Sequence, residues 1–148
     1  DSSSVSLSAL ADKLDPSLDV FADVVLNPVF PAAELERLRK QYLAALAQEK
    51  TEPTSMALRV LPRLLYGEGH PYAQPLTGTG TEATLKALGR ADLERFHRTW
   101  FRPNRATLIA VGPLTVAELK PRIEKRFAGW QRGDAPAMRH QPGGQRAE

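Results

Sequence analysis

Three histidines, His70, His97 and His140, and a complete absence of cysteine set the first limits on what this chain of 148 residues can do chemically. Helical zinc sites set two ligands at i and i+4 so that both imidazoles meet one metal. None of the three histidines has another at that spacing. His97 shares an apolar stripe with Phe96 and Trp100, which reads as a core histidine with its ring nitrogens satisfied. His70 precedes Pro71-Tyr72 and reads as a loop residue whose ring bonds to nearby backbone. His140 lies in a Gly/Pro/Gln/Arg-rich stretch. Without cysteine there is no thiolate nucleophile, no disulfide and no Cys-ligated metal. No G-x-S-x-G elbow presents a serine, and no Gly-Lys-Ser or Gly-Lys-Thr step closes a phosphate cradle. Gly78-Thr79-Gly80 is a lone Gly-x-Gly that follows no strand, too little for a nucleotide site. One carboxylate stands out: Glu49 ends a helical stripe otherwise made of Leu35, Leu38, Tyr42, Ala45 and Leu46. These residues assemble no catalytic site, and no catalytic residue is assigned.

The elements that hold these residues read as five helices and two strands. A first helix starts at Asp15-Pro16, where proline fits because its missing N–H had no intrahelical partner. It buries Leu18, Phe21, Ala22 and Val25 and stops at Asn27-Pro28. A second runs from about Pro31 to Lys50. A third follows Pro53 with Ala57, Val60, Leu61, Leu64 and Leu65 inside. Pro62 deletes that helix's bond to the Leu58 carbonyl and kinks it. The passage from Gly67 through Gly80 is too rich in Gly and Pro for regular structure. Leu93, Phe96, His97 and Trp100 mark a fourth helix ending near Arg102-Pro103-Asn104. Thr115-Val116-Ala117-Glu118 is a capping box, opening a fifth helix with Leu119, Ile123, Phe127 and Trp130 inside. Val5 to Leu10 alternates as a half-buried strand does, and Ala106 to Val111 is a nearly continuous apolar strand. The resulting expectation is an α+β fold, helices packed on an antiparallel-type sheet over residues 1–130, with 131–148 as linker or tail.

Lys and Arg number 20 against 17 Asp and Glu, a net charge of +3. The basic residues interleave with acids, as in Glu34-Leu35-Glu36-Arg37, and form no phosphate-binding stripe, so nucleic acid is not an expected partner. No apolar run approaches the roughly 20 residues that cross a bilayer as a helix. The start, Asp1-Ser2-Ser3-Ser4, enters strand-like sequence at once, and a strand there needs neighbours. The chain is therefore expected to be a piece of something longer.

A family resemblance is carried by Leu26-Asn27-Pro28-Val29-Phe30-Pro31, Glu36-Arg37-Leu38-Arg39-Lys40-Gln41, and Leu65-Tyr66-Gly67 with His70-Pro71-Tyr72. It continues through Gly78-Thr79, Phe96-His97, Trp100-Phe101-Arg102-Pro103-Asn104-Arg105-Ala106-Thr107-Leu108 and Val111-Gly112. In order and spacing, from Val5 to Trp130, these resemble the pitrilysin/insulinase-type zinc metallopeptidases, which include the mitochondrial processing peptidase and bacterial relatives. The resemblance implies repeated α+β domains paired into a chamber for unfolded peptides. In an active domain an H-x-x-E-H helix and a later glutamate hold zinc, and the motif's own Glu serves as general base. That helix would lie upstream of Ser4. The later glutamate aligns with Ala45, whose methyl group cannot bind metal, and a one-turn slip would substitute Glu49.

The resemblance thus implies a non-catalytic domain that forms the chamber and holds peptide substrate within a zinc metalloendopeptidase. Zinc belongs to the parent protein and none is expected in this piece. The implied partners are a companion catalytic domain or subunit of the family and unfolded peptides, and the piece alone is expected to self-associate. By resemblance only, a bacterial periplasm or envelope is favoured. Two alternatives stay open: a truncated catalytic domain of the same family, or a non-peptidase assembly subunit derived from it.

Overall fold

The structure, a computed structural model, describes residues 2–134 and 136. The six α-helices among these residues are α1 (Leu14–Leu26), α2 (Ala32–Glu49), α3 (Pro53–Tyr66), α4 (Glu82–Ala87), α5 (Arg90–Trp100) and α6 (Val116–Phe127), with single 3-10 turns at Ala11–Lys13, Pro71–Ala73 and Pro103–Arg105. They form two compact units, one of residues 2–29 with Glu94–Pro136 and the other of Phe30–Leu93. The expected tail beyond Pro136 lies outside the described residues.

The expected α+β architecture is not found: the described residues contain helices and turns but no strand. The two segments read as strands are extended where they meet their neighbouring turns, at Leu10 (φ −69°, ψ 150°) and Ala106 (φ −100°, ψ 142°). No described residue pairs with either segment to complete a ladder. Within 106–111 only the Ala106 N–H is bonded to backbone, to its own turn at the Pro103 carbonyl. Alternating apolar residues specify extended backbone and an apolar face, but a strand also requires a second chain segment within about 4.8 Å.

In the first unit, Leu18, Ala22 and Val25 of α1 are buried, as their i, i+4, i+7 spacing requires. α6 brings Phe127 edge-on to Phe21 (6.2 Å between centroids), and Arg126 bridges to Asp15 and Asp19 at 3.1 and 2.6 Å. Both bonds of the expected capping box form, Glu118 N–H to Thr115 Oγ1 (3.3 Å) and Thr115 N–H to Glu118 Oε2 (2.8 Å).

In the second unit, Leu46 is the buried residue of α2, and the inward stripe is Leu35, Arg39, Leu43, Leu46 and Glu49, while Leu38, Tyr42 and Ala45 are exposed. The face is rotated from the one expected because Arg39 points inward, where its Nη1 and Nη2 each donate at 2.6 Å to the carbonyls of Lys86 and Leu88. Those carbonyls end α4 and have no intrahelical donor. α3 turns the opposite way from expectation. Ala57, Val60, Leu61, Leu64 and Leu65 are all exposed, and Pro62 is fully buried with Ser55 and Arg59 half-buried on its side. Arg59 decides this orientation through the polar cluster it enters.

Candidate functional site

That cluster is built around Glu49, the last residue of α2. Arg59 Nη1 lies 2.7 Å from Glu49 Oε2 and also donates to Thr79 Oγ1 (2.9 Å) and Thr77 Oγ1 (3.3 Å). Arg59 Nη2 donates to the Gly80 carbonyl (2.7 Å), and Thr79 Oγ1 donates to the same Glu49 oxygen (3.0 Å). The Arg59 and Glu49 side chains are only 13% and 16% exposed. Burial alone would raise the Glu49 carboxyl, but hydrogen bonds from Arg59, Thr79 and Thr77 and the Arg59 charge outweigh it and hold the group below its ordinary value. Gly78 and Gly80 take φ of 74° and 72°, left-handed values that bend the loop so that Thr77 and Thr79 both face the pair. The Gly78-Thr79-Gly80 segment is a clamp on an ion pair.

His70 sits as the sequence suggested, whereas His97 is half-buried rather than in a core, with its expected stripe neighbour Phe96 49% exposed. His97 Nε2 is 2.8 Å from the Val25 carbonyl, and its ring packs on Phe101 (4.7 Å). His70 Nδ1 accepts from the Tyr72 N–H (3.1 Å), and its ring stacks on Tyr66 at 5.1 Å and 12°. His140 lies outside the described residues. No group of three or more His, Cys, Asp or Glu among the described residues could hold a metal ion.

The first unit also holds an open groove of about 720 Å³ walled by Phe21, Trp100, Phe101, Ile123, Phe127 and Trp130, with Arg102 and Arg105 in its lining. Trp130 Nε1 is satisfied by the Phe101 carbonyl (3.0 Å), which fixes its ring as a wall.

Compared with known proteins, residues 1–80 match the family described as Insulinase (Peptidase family M16), more than half of the chain. The chain belongs to the peptidase M16 family. Residues 87–147 match a second M16 description, the Peptidase M16 inactive domain. Among relatives, an uncharacterized zinc protease of Mycobacterium tuberculosis is 28% identical over 118 residues, covering 80% of this chain and 26% of the relative. The insulin-degrading enzyme of Drosophila melanogaster is 26% identical over 125 residues, covering 79% of this chain and 12% of that enzyme. Cytochrome b-c1 complex subunit 1, mitochondrial, of Bos taurus is 26% identical over 123 residues, covering 83% of this chain and 25% of that subunit. The M16 chain thus spans about a quarter of the length of the mycobacterial relative.

Zinc is the metal in the names of several M16 relatives, and the donors among the described residues do not fit it. Ala45 is exposed and has no donor atom. Glu49 carries its negative charge against a guanidinium at 2.7 Å, so a cation at Oε2 would have to displace another cation and the Thr79 hydroxyl. Arg59, the residue that commits Glu49, was invisible to sequence reasoning. Glu49 and Arg59 are ten positions apart, on different helices, and no periodicity links them. Arg39 was missed likewise. The available signal was a cation on a face otherwise assigned to solvent.

Proposed function

We propose that this M16 chain is a non-catalytic domain that forms part of a peptide-enclosing chamber and binds unfolded peptide within a zinc metalloendopeptidase. The observation carrying this reading is the state of Glu49: the acidic side chain nearest the aligned ligand position Ala45 is engaged by Arg59, Thr77 and Thr79 in a structural clamp. The match of residues 87–147 to a domain described as inactive supports it. A companion catalytic domain or subunit of the same family would supply zinc and the water nucleophile, and this chain would contribute wall and grip. Expected on this reading is saturable binding of unstructured, acetylated and amidated peptides, measured by fluorescence anisotropy, with no cleavage by mass spectrometry in the presence of zinc. Metal-dependent cleavage abolished by chelator and by Glu49→Gln would overturn it in favour of a catalytic domain. The likeness to a cytochrome b-c1 subunit favours one rival, an assembly subunit, and on that reading no peptide binds at all.

A further inference from the structure

The groove of the first unit has a charge pattern that its aromatic walls do not explain. Arg102 and Arg105 are in its lining, and the lining contains no Asp or Glu among the described residues. Arg122 and Arg126, which serve packing in the same unit, are each held by aspartate, Arg122 by Asp15 at 2.8 Å and Arg126 by Asp15 and Asp19. Neither groove arginine has such a partner among the described residues. The Arg105 guanidinium lies 5.7 Å above the Trp100 ring, and Arg102 Nε, like the inward-facing Arg39 Nε of the second unit, is covered with no acceptor among the described residues.

Arg102 is half-buried and packed along its Nε edge by Gly133, which leaves the other guanidinium nitrogens to meet a ligand. The chain at Gly133 passes so close that a Cβ there would stand 2.9 Å from Arg102 Nε. Asn104 holds Gly133 in place from both sides, donating to its carbonyl (3.1 Å) and accepting from its N–H (3.3 Å). Asp134, the next residue, makes no ion pair with either arginine. Along the same groove, Thr107 and Leu108 are in the lining with no backbone hydrogen bond to any described residue. These free N–H and C=O groups suit an extended chain lying beside them. Two arginines without a carboxylate partner among the described residues, flat aromatic walls and backbone unbonded to any described residue together fit one kind of occupant.

We infer that the groove is a subsite for an extended peptide segment carrying an acidic side chain next to a large apolar residue. The carboxylate meets Arg102 and Arg105 in charge-assisted hydrogen bonds, and the apolar neighbour packs against Trp100, Phe127 and Trp130. This inference rests on the peptide-binding reading above and adds a place and a chemical preference to it.

The chain's two tryptophans, Trp100 and Trp130, both wall this groove, so intrinsic emission reports its occupancy directly. The probe is a flexible acetylated and amidated heptapeptide with a central Leu-Glu-Phe, compared with its Gln twin, each also carrying a remote label for anisotropy. The expected result is a saturable change in tryptophan emission with the Glu peptide, affinity about tenfold weaker for the Gln twin, and weakening with added salt. Arg102→Gln should erase the difference between the twins and Arg102→Lys should retain part of it. Arg105→Gln, at an exposed position, gives the same reading should the Arg102 variants fold poorly by circular dichroism. Equal binding of the twins, with emission responding to both, would overturn carboxylate recognition and leave peptide binding intact. Anisotropy that reports binding while emission stays silent would place peptide elsewhere. Silence in both would remove the peptide-binding reading as well, and binding only of a peptide with a free C-terminus would assign the arginines to a terminal carboxylate, against this proposal.

Discussion

Glu49 is a carboxylate that the fold uses as a clamp, and its protonation therefore bears on stability. Burial pushes its folded pKa up, but the bonds from Arg59, Thr79 and Thr77 and the Arg59 charge together outweigh this and lower it from the ordinary 4.5. A group whose pKa is depressed by folding contributes stability that is fully present above the unfolded value and is lost as pH falls through the folded one. Glu49→Gln should therefore lower the melting temperature by several degrees at pH 7. The gap to the parent chain should narrow as pH falls below 4.5. Thermal unfolding followed by circular dichroism between neutral and acid pH checks this. A gap that stays constant down to acid pH would mean that the carboxylate charge is not what holds Thr77 and Thr79. The sequence made Glu49 conspicuous and left its role open, because a carboxylate on an apolar stripe is equally compatible with a ligand and with an ion pair. Only the arrival of Arg59 from α3 separates the two.

Element boundaries were the most legible feature, since they are written in local chemistry. Asn27-Pro28 ends α1, the Thr115-Glu118 box opens α6, and Pro53 sits at the first position of α3. Faces and short elements were less legible. α4 is six residues long with a single large apolar residue, Leu85, and its box closes through Thr81 and Thr84 rather than a glutamate. The leucines of α3 point to one face, whereas the buried stripe is the one marked by Pro62. Loss of the Pro62 N–H frees the Leu58 carbonyl, and the structure gives that carbonyl a new donor, the N–H of Leu76, at 3.1 Å. Pro62 thus does more than interrupt a helix, since it opens the acceptor that docks the glycine-rich loop. Pro62→Ala should restore a competing intrahelical donor to Leu58, and amide exchange at Leu76 should quicken selectively while the α6 amides are unaffected. Unchanged protection at Leu76 would mean that the loop is held by the Arg59 cluster alone.

At the scale of the whole molecule, a composition of 42% hydrophobic residues encourages the expectation of a self-contained core. Among the described residues, however, the buried hydrophobic side chains are Leu18, Ala22, Val25 and Leu46, while Leu64 and Leu65 are 57% and 60% exposed and Ile109 and Val111 are 83% and 99% exposed. Sequence pattern reports which residues would profit from burial. It does not report whether the covering surface belongs to the same chain, nor whether an extended segment has a partner to pair with. At roughly 25 cal/mol per Å² of apolar surface, exposed leucines of this kind favour any contact that covers them. In the absence of a companion, that contact is a second copy, so the chain should associate as concentration rises, with light scattering across a dilution series as the measure. Leu64→Lys combined with Leu65→Lys should shift the association to higher concentration without lowering the melting temperature, because neither residue lies in a core. Leu7→Lys, in the extended segment near the start, tests the other route, pairing through unbonded backbone. If the α3 double variant restores a monomer and Leu7→Lys does not, the helix face drives association. A monodisperse monomer in the parent chain at high concentration would mean that two units with few buried side chains are closed surfaces in themselves.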